Sequence, residues 1–216
     1  MARPDSACAC WPATSKTMDE AAFARFSSCE YLGPVVARFG PLEMGQPEEP
    51  LTCLVSSLVS QQLSVKAAAT IWARVAERIG GEPVDPERLL DVSPDELRTL
   101  GLSRQKARYV HAVAQAWLDH NWRADDWFSM PDDEVRARLL PITGVGPWTV
   151  DMFLIFGLHH PDVWPLGDLG IQNGLKRLVR PDLTAGDMAE LGERWQPHRS
   201  LAARYIWKSL DNTPVS

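Results

Sequence analysis

The chain has 216 residues, 45% of them hydrophobic and 23% charged, which is an ordinary balance for a globular protein with a sizeable core. Its formal net charge of −6 argues against a protein that holds nucleic acid mainly by bulk positive charge. No apolar run approaches the ~20 residues that cross a bilayer, and the N-terminus lacks the apolar core of a signal peptide, so we expect a cytoplasmic protein without a membrane partner.

Helical periodicity is widespread along the chain and alternating strand patterns are nearly absent, which predicts an all-α fold. Residues 1–17 are predicted to be a disordered tail, and residues 40–50 form a connector rich in Pro, Gly and Glu. The predicted helices, in chain order, are 18–28, 31–39, 51–61, 64–79, a short helix after Ser93, one from Ser103 to about 119, 131–139, 147–157, 169–180, 185–195 and 199–210.

The most informative segment is LLPITGVGPWTVDMFLIF, residues 139–156, where two helical patterns flank a short turn. Gly144 and Gly146 permit positive φ and the close approach of another backbone, and Val145 can fill the gap between the helices. Pro147 suits the first position of the second helix. Backbone amides that start such a helix form an anion site, although the same pattern also fits an ordinary helical corner.

A single acid, Asp168, follows the turn Pro165–Gly167 and precedes the next helical pattern. The simplest interpretation is that Asp168 caps this helix. The functional interpretation is an ionised carboxylate beside a sugar, because glycosidic bonds break through an oxocarbenium-like transition state that a fixed anion stabilises.

Five motifs in order, LVSQQLSVKAA, LGLSRQKARYV, GVGPWT, PLGDLG and HRSLAARYIW, resemble the helix-hairpin-helix (HhH-GPD) DNA glycosylase superfamily. Within it they are most similar to the 3-methyladenine DNA glycosylase II branch, over about residues 20–210. The resemblance implies two all-α lobes with the active site in the cleft between them. The central lobe would be residues 51–146 with the hairpin, and the other would join residues 18–50 to residues 147–216.

The resemblance also implies an activity, which is hydrolysis of the N-glycosidic bond of alkylated purines in double-stranded DNA during base excision repair. Asp168 would stabilise the oxocarbenium-like transition state and activate water. We expect a monomer that requires no cofactor, located in the cytoplasm and associated with the nucleoid if the cell is prokaryotic.

The resemblance assigns further residues to three roles. Gly144, Gly146 and Thr149 would bind the DNA backbone through their amides, and Gln62 or Leu63 would fill the gap left by the flipped nucleotide. The base pocket would include Trp148 and Trp207, together with Met152 where some relatives have Tyr; plain core packing is the alternative for both tryptophans. A structural Na⁺ or K⁺ would bind main-chain carbonyls at the hairpin, those of Leu140, Ile142 and Val145.

Two departures from related subclasses sharpen the expected chemistry. Members that also cleave the strand carry a Lys just after the hairpin, where this chain has Trp148, so we expect base removal without lyase activity. The four cysteines lack the spacing of an iron–sulfur loop, so no such cluster is expected. The alternatives are a glycosylase for other damaged or deaminated bases and a non-catalytic DNA-binding or lesion-sensing protein.

Overall fold

The computed structural model describes residues 20–42 and 47–210, and the predicted tail at residues 1–17 lies outside them. Twelve α-helices and no strand occur in these two stretches, which confirms the predicted all-α class. The helices are α1 (Glu20–Ser27), α2 (Gly33–Phe39), α3 (Pro50–Ser60), α4 (Val65–Arg78), α5 (Pro86–Asp91), α6 (Pro94–Thr99), α7 (Arg104–Asp119), α8 (Asp132–Leu139), α9 (Pro147–Met152), α10 (Leu169–Leu178), α11 (Ala185–Glu193) and α12 (Arg199–Leu210).

Helix starts are fixed locally by side chains that cap free backbone amides. Ser64, Ser93 and Ser103 each accept a hydrogen bond from the amide three residues ahead, as their sequence context predicts. Asp168 and Thr184 do the same for α10 and α11. These caps explain why the predicted helix starts agree closely with the structure.

Two segments depart from the predicted elements. Helix α5 was not predicted, although Asp85 caps it and Pro86 occupies its first position, and Leu89 within it is fully buried. The predicted helix 147–157 instead changes after Met152 into a π-helical turn, Phe153–Gly157, closed by the hydrogen bond from the Leu158 amide to the Phe153 carbonyl (3.0 Å). π-Helical turns of this kind are common near functional sites.

The buried side chains form two clusters. The central cluster contains buried residues between positions 51 and 163, and the terminal cluster joins buried residues 22–36 to residues 171–206. Trp207 packs against both clusters, and Asp168 lies in the chain segment between them. Segment 147–163 packs with the central cluster rather than with the termini, and the predicted lobe boundary at residue 147 stays a prediction.

Candidate active site and DNA-facing groove

The hairpin between α8 and α9 is a tight turn built on Gly144. Gly144 has φ 95°, a conformation that favours glycine, and a Cβ there would lie 2.0 Å from the ring of Tyr109. The Val145 side chain is buried, and the Val145 amide donates to the Ile142 carbonyl (3.0 Å). The turn therefore depends on a glycine for both its backbone angle and its packing.

The amides of Gly144, Gly146 and Thr149 have no hydrogen-bond acceptor among the described residues, and neither have those of Thr143 and Trp148. Pro147 has no amide hydrogen to offer, so the unpaired donors lie on both sides of it. Unpaired N–H groups at a helix start are suited to a phosphate oxygen. The structure thus brings together the backbone donors that the sequence indicated.

The carbonyls named for a monovalent cation lie in the same turn. The Ile142 carbonyl accepts from Val145, whereas those of Leu140 and Val145 accept no hydrogen bond from any described residue. Carbonyl oxygens are suitable ligands for a hard cation, and each carbonyl has two lone pairs. The donor set is therefore compatible with Na⁺ or K⁺.

Asp168 is held by three N–H donors. Its Oδ1 accepts from the Ile171 amide (2.9 Å) and from Trp207 Nε1 (2.8 Å), and its Oδ2 accepts from Trp148 Nε1 (2.6 Å). All three partners only donate, so both oxygens act as acceptors. The orientation of the carboxylate is fixed from the helix start and from both indoles.

The two oxygens of Asp168 differ in their remaining capacity to accept hydrogen bonds. Oδ1 has a described donor for each of its lone pairs, while Oδ2 has one donor only. Oδ2 is therefore the atom with acceptor capacity for a ligand or a water molecule.

A groove of about 680 Å³, called here the Asp168 groove, runs past this carboxylate. It is lined by residues 60–63, 103, 105, 106, 109, 144, 146–149 and 167–169. The predicted wedge residues Gln62 and Leu63 are both exposed in its wall, with Leu63 39% exposed and Gln62 at φ 56°. The structure brings them into the same groove as the hairpin and the acid.

The three residues predicted for the base pocket lie in different surroundings. Trp148 lines the Asp168 groove, whereas Met152 is buried in the central cluster. The Trp207 ring stacks on Phe156, with centroids 5.6 Å apart and an angle of 30°, and its N–H points to Asp168. Both indoles thus act as hydrogen-bond donors to the acid, a role that sequence reasoning missed.

Gln61 is a second residue that sequence reasoning missed. Its Nε2 donates to the Thr149 hydroxyl (2.9 Å) and to the Gly144 carbonyl (3.3 Å), which ties the α3–α4 turn to the hairpin. Lys106 Nζ donates to the carbonyls of Gln61 (2.5 Å) and Val59 (2.7 Å), and burial lowers the pKa of this lysine. The only sequence sign of this link to the hairpin is the adjacent pair Gln61 and Gln62, and the sequence does not show which of the two side chains faces inward.

A partly buried ion pair joins the two helices of the hairpin. Arg136 on α8 donates to Asp151 Oδ1 on α9 at 2.6 Å, and Asp151 is only 8% exposed. Burial raises the pKa of Asp151, and the hydrogen bond from Arg136 acts in the opposite direction. The second acid of this helix therefore has a structural partner.

Some of the cationic side chains pair with acids, and others do not. Arg180 pairs with Asp182 and Asp187, and Arg199 pairs with Asp162 and Glu193. The exposed Arg104, Arg108, Lys176 and Arg177 have no acidic partner within 4.0 Å among the described residues, and they are the better candidates for phosphate contacts.

The fold and the site define an all-helical protein in which a helix-hairpin-helix turn and one fixed carboxylate share a groove. The family described as "HhH-GPD superfamily base excision DNA repair protein" matches residues 55–197. The chain therefore belongs to the HhH-GPD superfamily of base excision DNA repair proteins.

Three relatives illustrate the similarity. DNA-3-methyladenine glycosylase 1 of Schizosaccharomyces pombe is 32% identical over 179 residues, which are 81% of this chain and 78% of that protein. The Bacillus subtilis protein YfjP is 30% identical over 167 residues, 74% of this chain and 58% of its own length. A solved Schizosaccharomyces pombe 3-methyladenine DNA glycosylase bound to abasic DNA superposes with TM-score 0.79 at 30% identity, over 87% of this chain and 95% of that one.

Proposed function

We propose that this protein hydrolyses the N-glycosidic bond of alkylated purines in double-stranded DNA, as a glycosylase of base excision repair. The observation that carries the proposal is Asp168, fixed by three N–H donors beside the Asp168 groove. The names of the relatives, which are DNA-3-methyladenine glycosylases, support the same substrate class.

The chemistry follows from the arrangement of the carboxylate. The bond from the sugar C1′ to the purine nitrogen breaks, and the base leaves with the bonding electrons. A purine alkylated at N3 or N7 carries positive charge and leaves as a neutral base, so little proton donation is needed. Asp168 stabilises the positive charge that develops on the sugar. Oδ2 accepts first a hydrogen bond and then the proton of the water that attacks C1′, which leaves a hydroxyl group on C1′.

We propose that the enzyme is monofunctional. Trp148, which stands at the position after the hairpin, has no amine to attack the sugar. Lys106 lines the same groove, but its ammonium donates to two main-chain carbonyls and is held in the wall. Base release without strand cleavage is the expected outcome.

The proposed binding mode assigns the remaining groove residues to DNA. The unpaired amides of Gly144, Gly146 and Thr149 would bind one phosphate, with the cation held by the turn carbonyls nearby. Gln62 and Leu63 would enter the space left by the flipped nucleotide, which recovers part of the unstacking cost.

The base pocket is proposed to form around the two indoles. Trp148 offers its exposed face to a cationic purine, an attraction that aromatic rings provide. Trp207 and Met152 would then support the pocket from behind.

The protein is proposed to act as a monomer in the cytoplasm. No helix of the described residues is long and apolar enough to cross a bilayer.

The decisive experiment compares wild type with Asp168→Asn in single-turnover assays on duplex DNA containing 7-methylguanine or 3-methyladenine. Free base and strand nicking are scored separately, before and after alkaline treatment. Asn still caps a helix, so the variant should remain folded. Asp85→Asn, the same change at the start of α5, is the matched control.

We expect base release by wild type and by Asp85→Asn, no nicking before alkali, and a loss of about a hundredfold or more in Asp168→Asn. Retained release in Asp168→Asn would reject the catalytic role of this residue. Absence of release by wild type from every alkylated duplex would reject the activity and favour a DNA-binding role.

A further inference from the structure

Gly170 occupies a crowded position next to the proposed catalytic acid. A Cβ at this residue would lie 2.9 Å from Asp168 Oδ1, 2.9 Å from Trp207 Cδ1 and 3.0 Å from Trp207 Nε1. These distances are shorter than the contacts that Cβ atoms make in folded proteins. The hydrogen bond between Trp207 and Asp168 therefore passes directly over the α-carbon of Gly170.

The backbone gives no reason for glycine at this position. Gly170 is the second residue of α10 and is absent from the glycines with positive φ. Alanine is the better helix former, because glycine loses more backbone freedom on folding. The local structure favours alanine, and the neighbouring site favours glycine.

Neither partner of this hydrogen bond can withdraw without losing other contacts. Asp168 also accepts hydrogen bonds from the Ile171 amide and from Trp148. The Trp207 ring is stacked on Phe156, whose own ring lies 4.8 Å from the Arg204 guanidinium. An added methyl group would therefore separate Trp207 from Asp168.

We propose that Gly170 is a positioning residue, whose missing side chain allows the Trp207 N–H to reach Oδ1 of Asp168 and to fix the carboxylate for catalysis. The proposal rests on the proposed function of Asp168. It predicts that Gly170→Ala slows base release although the substitution favours the helix.

The chain offers a matched control in α11. Gly186 is also the second residue of a helix, and its capping residue Thr184 accepts from the amide of Asp187, as Asp168 does from Ile171. A Cβ at Gly186 would meet only the Thr184 hydroxyl, at an ordinary 3.7 Å. Gly186→Ala therefore makes the same backbone change away from the acid.

The test measures three quantities for wild type, Gly170→Ala, Gly186→Ala, Trp207→Phe and the double variant Trp207→Phe/Gly170→Ala. These are the single-turnover rate of 7-methylguanine release, the Kd for an abasic duplex and the melting temperature. A hydrogen bond to a charged group is lost, so we expect Gly170→Ala to reduce the rate by about tenfold to a hundredfold. Its Kd should stay within about twofold of wild type, and Gly186→Ala should match wild type in both.

Phe has no N–H to donate, so Trp207→Phe should already have the slow rate, and adding Gly170→Ala to it should change the rate little. The proposal is overturned if Gly170→Ala releases base at the wild-type rate, or if it slows the Trp207→Phe protein as much as wild type. Should Gly170→Ala alone not melt cooperatively, the comparison of Trp207→Phe with the double variant decides in the same way. Full activity of Asp168→Asn would instead reject the proposed function itself, independently of Gly170.

Discussion

The hairpin and the Asp168 site use hydrogen-bond donors in opposite ways, although only Pro147 separates Gly146 from Trp148 along the chain. At the hairpin, the amides of Gly144, Gly146 and Thr149 have no acceptor among the described residues. At the acid, three donors converge on one carboxylate, and Oδ1 is fully occupied. The first region has donors left for a ligand, whereas the second is oriented by the protein itself and has acceptor capacity left at Oδ2 alone.

The difference shows how an acidic protein can bind DNA. Backbone amides supply partial positive charge without adding to the net charge of −6. A fixed carboxylate near a phosphodiester would repel it, and the three N–H dipoles that point at Asp168 weaken that repulsion without removing the charge. In the proposed function, the hairpin amides and the donors to Asp168 therefore add fixed dipoles to the few exposed arginines and lysines, and no net positive charge of the chain is needed.

The largest effect on this comparison is expected from Gly144→Ala. The new Cβ would meet the ring of Tyr109 at 2.0 Å, and φ 95° is unfavourable for alanine, so the hairpin has to move. We expect the affinity for an abasic duplex to fall about a hundredfold, because two or three phosphate contacts are lost together. Fluorescence anisotropy at fixed salt concentration measures it.

Gly81→Ala is the control for the Gly144 variant. Gly81 has φ 101°, but a Cβ there would meet no atom within 4 Å. It should lose about 1–2 kcal/mol of stability from backbone strain and keep its DNA affinity. Equal affinity losses in the two variants would show that backbone strain alone, and not the contact with the Tyr109 ring, accounts for the weaker DNA binding of Gly144→Ala.

A smaller and different effect is expected from Trp148→Phe, which removes the single donor to Asp168 Oδ2 found among residues 20–42 and 47–210. The rate of base release should fall about tenfold or more, because a hydrogen bond to a charged acceptor contributes about 1.5–3 kcal/mol. The Kd for abasic DNA should change little, since the hairpin amides remain. A weakened Kd at an unchanged rate would assign Trp148 to binding and remove it from the positioning of the acid.

The smallest effect concerns the pH dependence of stability through Asp151. Burial raises its pKa above the ordinary 3.8, so between these two values the folded state binds the proton more tightly than the unfolded state does. The contribution of Asp151 to the free energy of unfolding should therefore fall as pH rises across that interval. Asp151→Asn should lack this fall, which is at most about 1.4 kcal/mol per pH unit for one proton.

Asp187→Asn is the control of opposite sign. Hydrogen bonds from the Thr184 amide and hydroxyl lower the pKa of Asp187. Its contribution to the free energy of unfolding is therefore present above pH 3.8 and is lost as pH falls through the lowered pKa. Urea unfolding between pH 3 and pH 7 compares both variants with wild type. Parallel curves for Asp151→Asn and wild type would show that the Arg136 pair removes the burial effect on Asp151.

The features that the sequence predicted well depend on neighbours along the chain. The helix starts at Ser64, Ser93 and Ser103 use contacts within a few residues, and the turn at Gly144 was predicted from the backbone freedom of glycine, without its packing on Tyr109. Asp168 was predicted in the same way, as a cap with a turn before it. The helical class followed from periodicity, because few alternatives bury such faces.

The features that were missed depend on residues far apart in sequence. The bond from Trp207 to Asp168 spans 39 positions and that from Gln61 to Thr149 spans 88. From the sequence alone, a tryptophan whose indole donates to an acid cannot be distinguished from one that lines a pocket. Helix α5 is too short to show helical periodicity, and it was missed although Asp85 and Pro86 give the same start signal from which the equally short α6 was predicted.

The hydrogen bond from Trp148 to Asp168 constrains how this segment of the chain can vary in length. The amide of Gly146 and the indole of Trp148 are separated by one residue, at the start of one helix. Each inserted residue turns the following side chains by about 100° around a helix axis. A one-residue insertion between Pro147 and Trp148, inside α9, would thus point the indole away from Asp168, and an insertion at the surface of α11 would leave the bond from Trp148 to Asp168 in place. In a library of active variants, insertions and deletions should therefore be absent between Pro147 and Trp148 and should occur elsewhere in the chain.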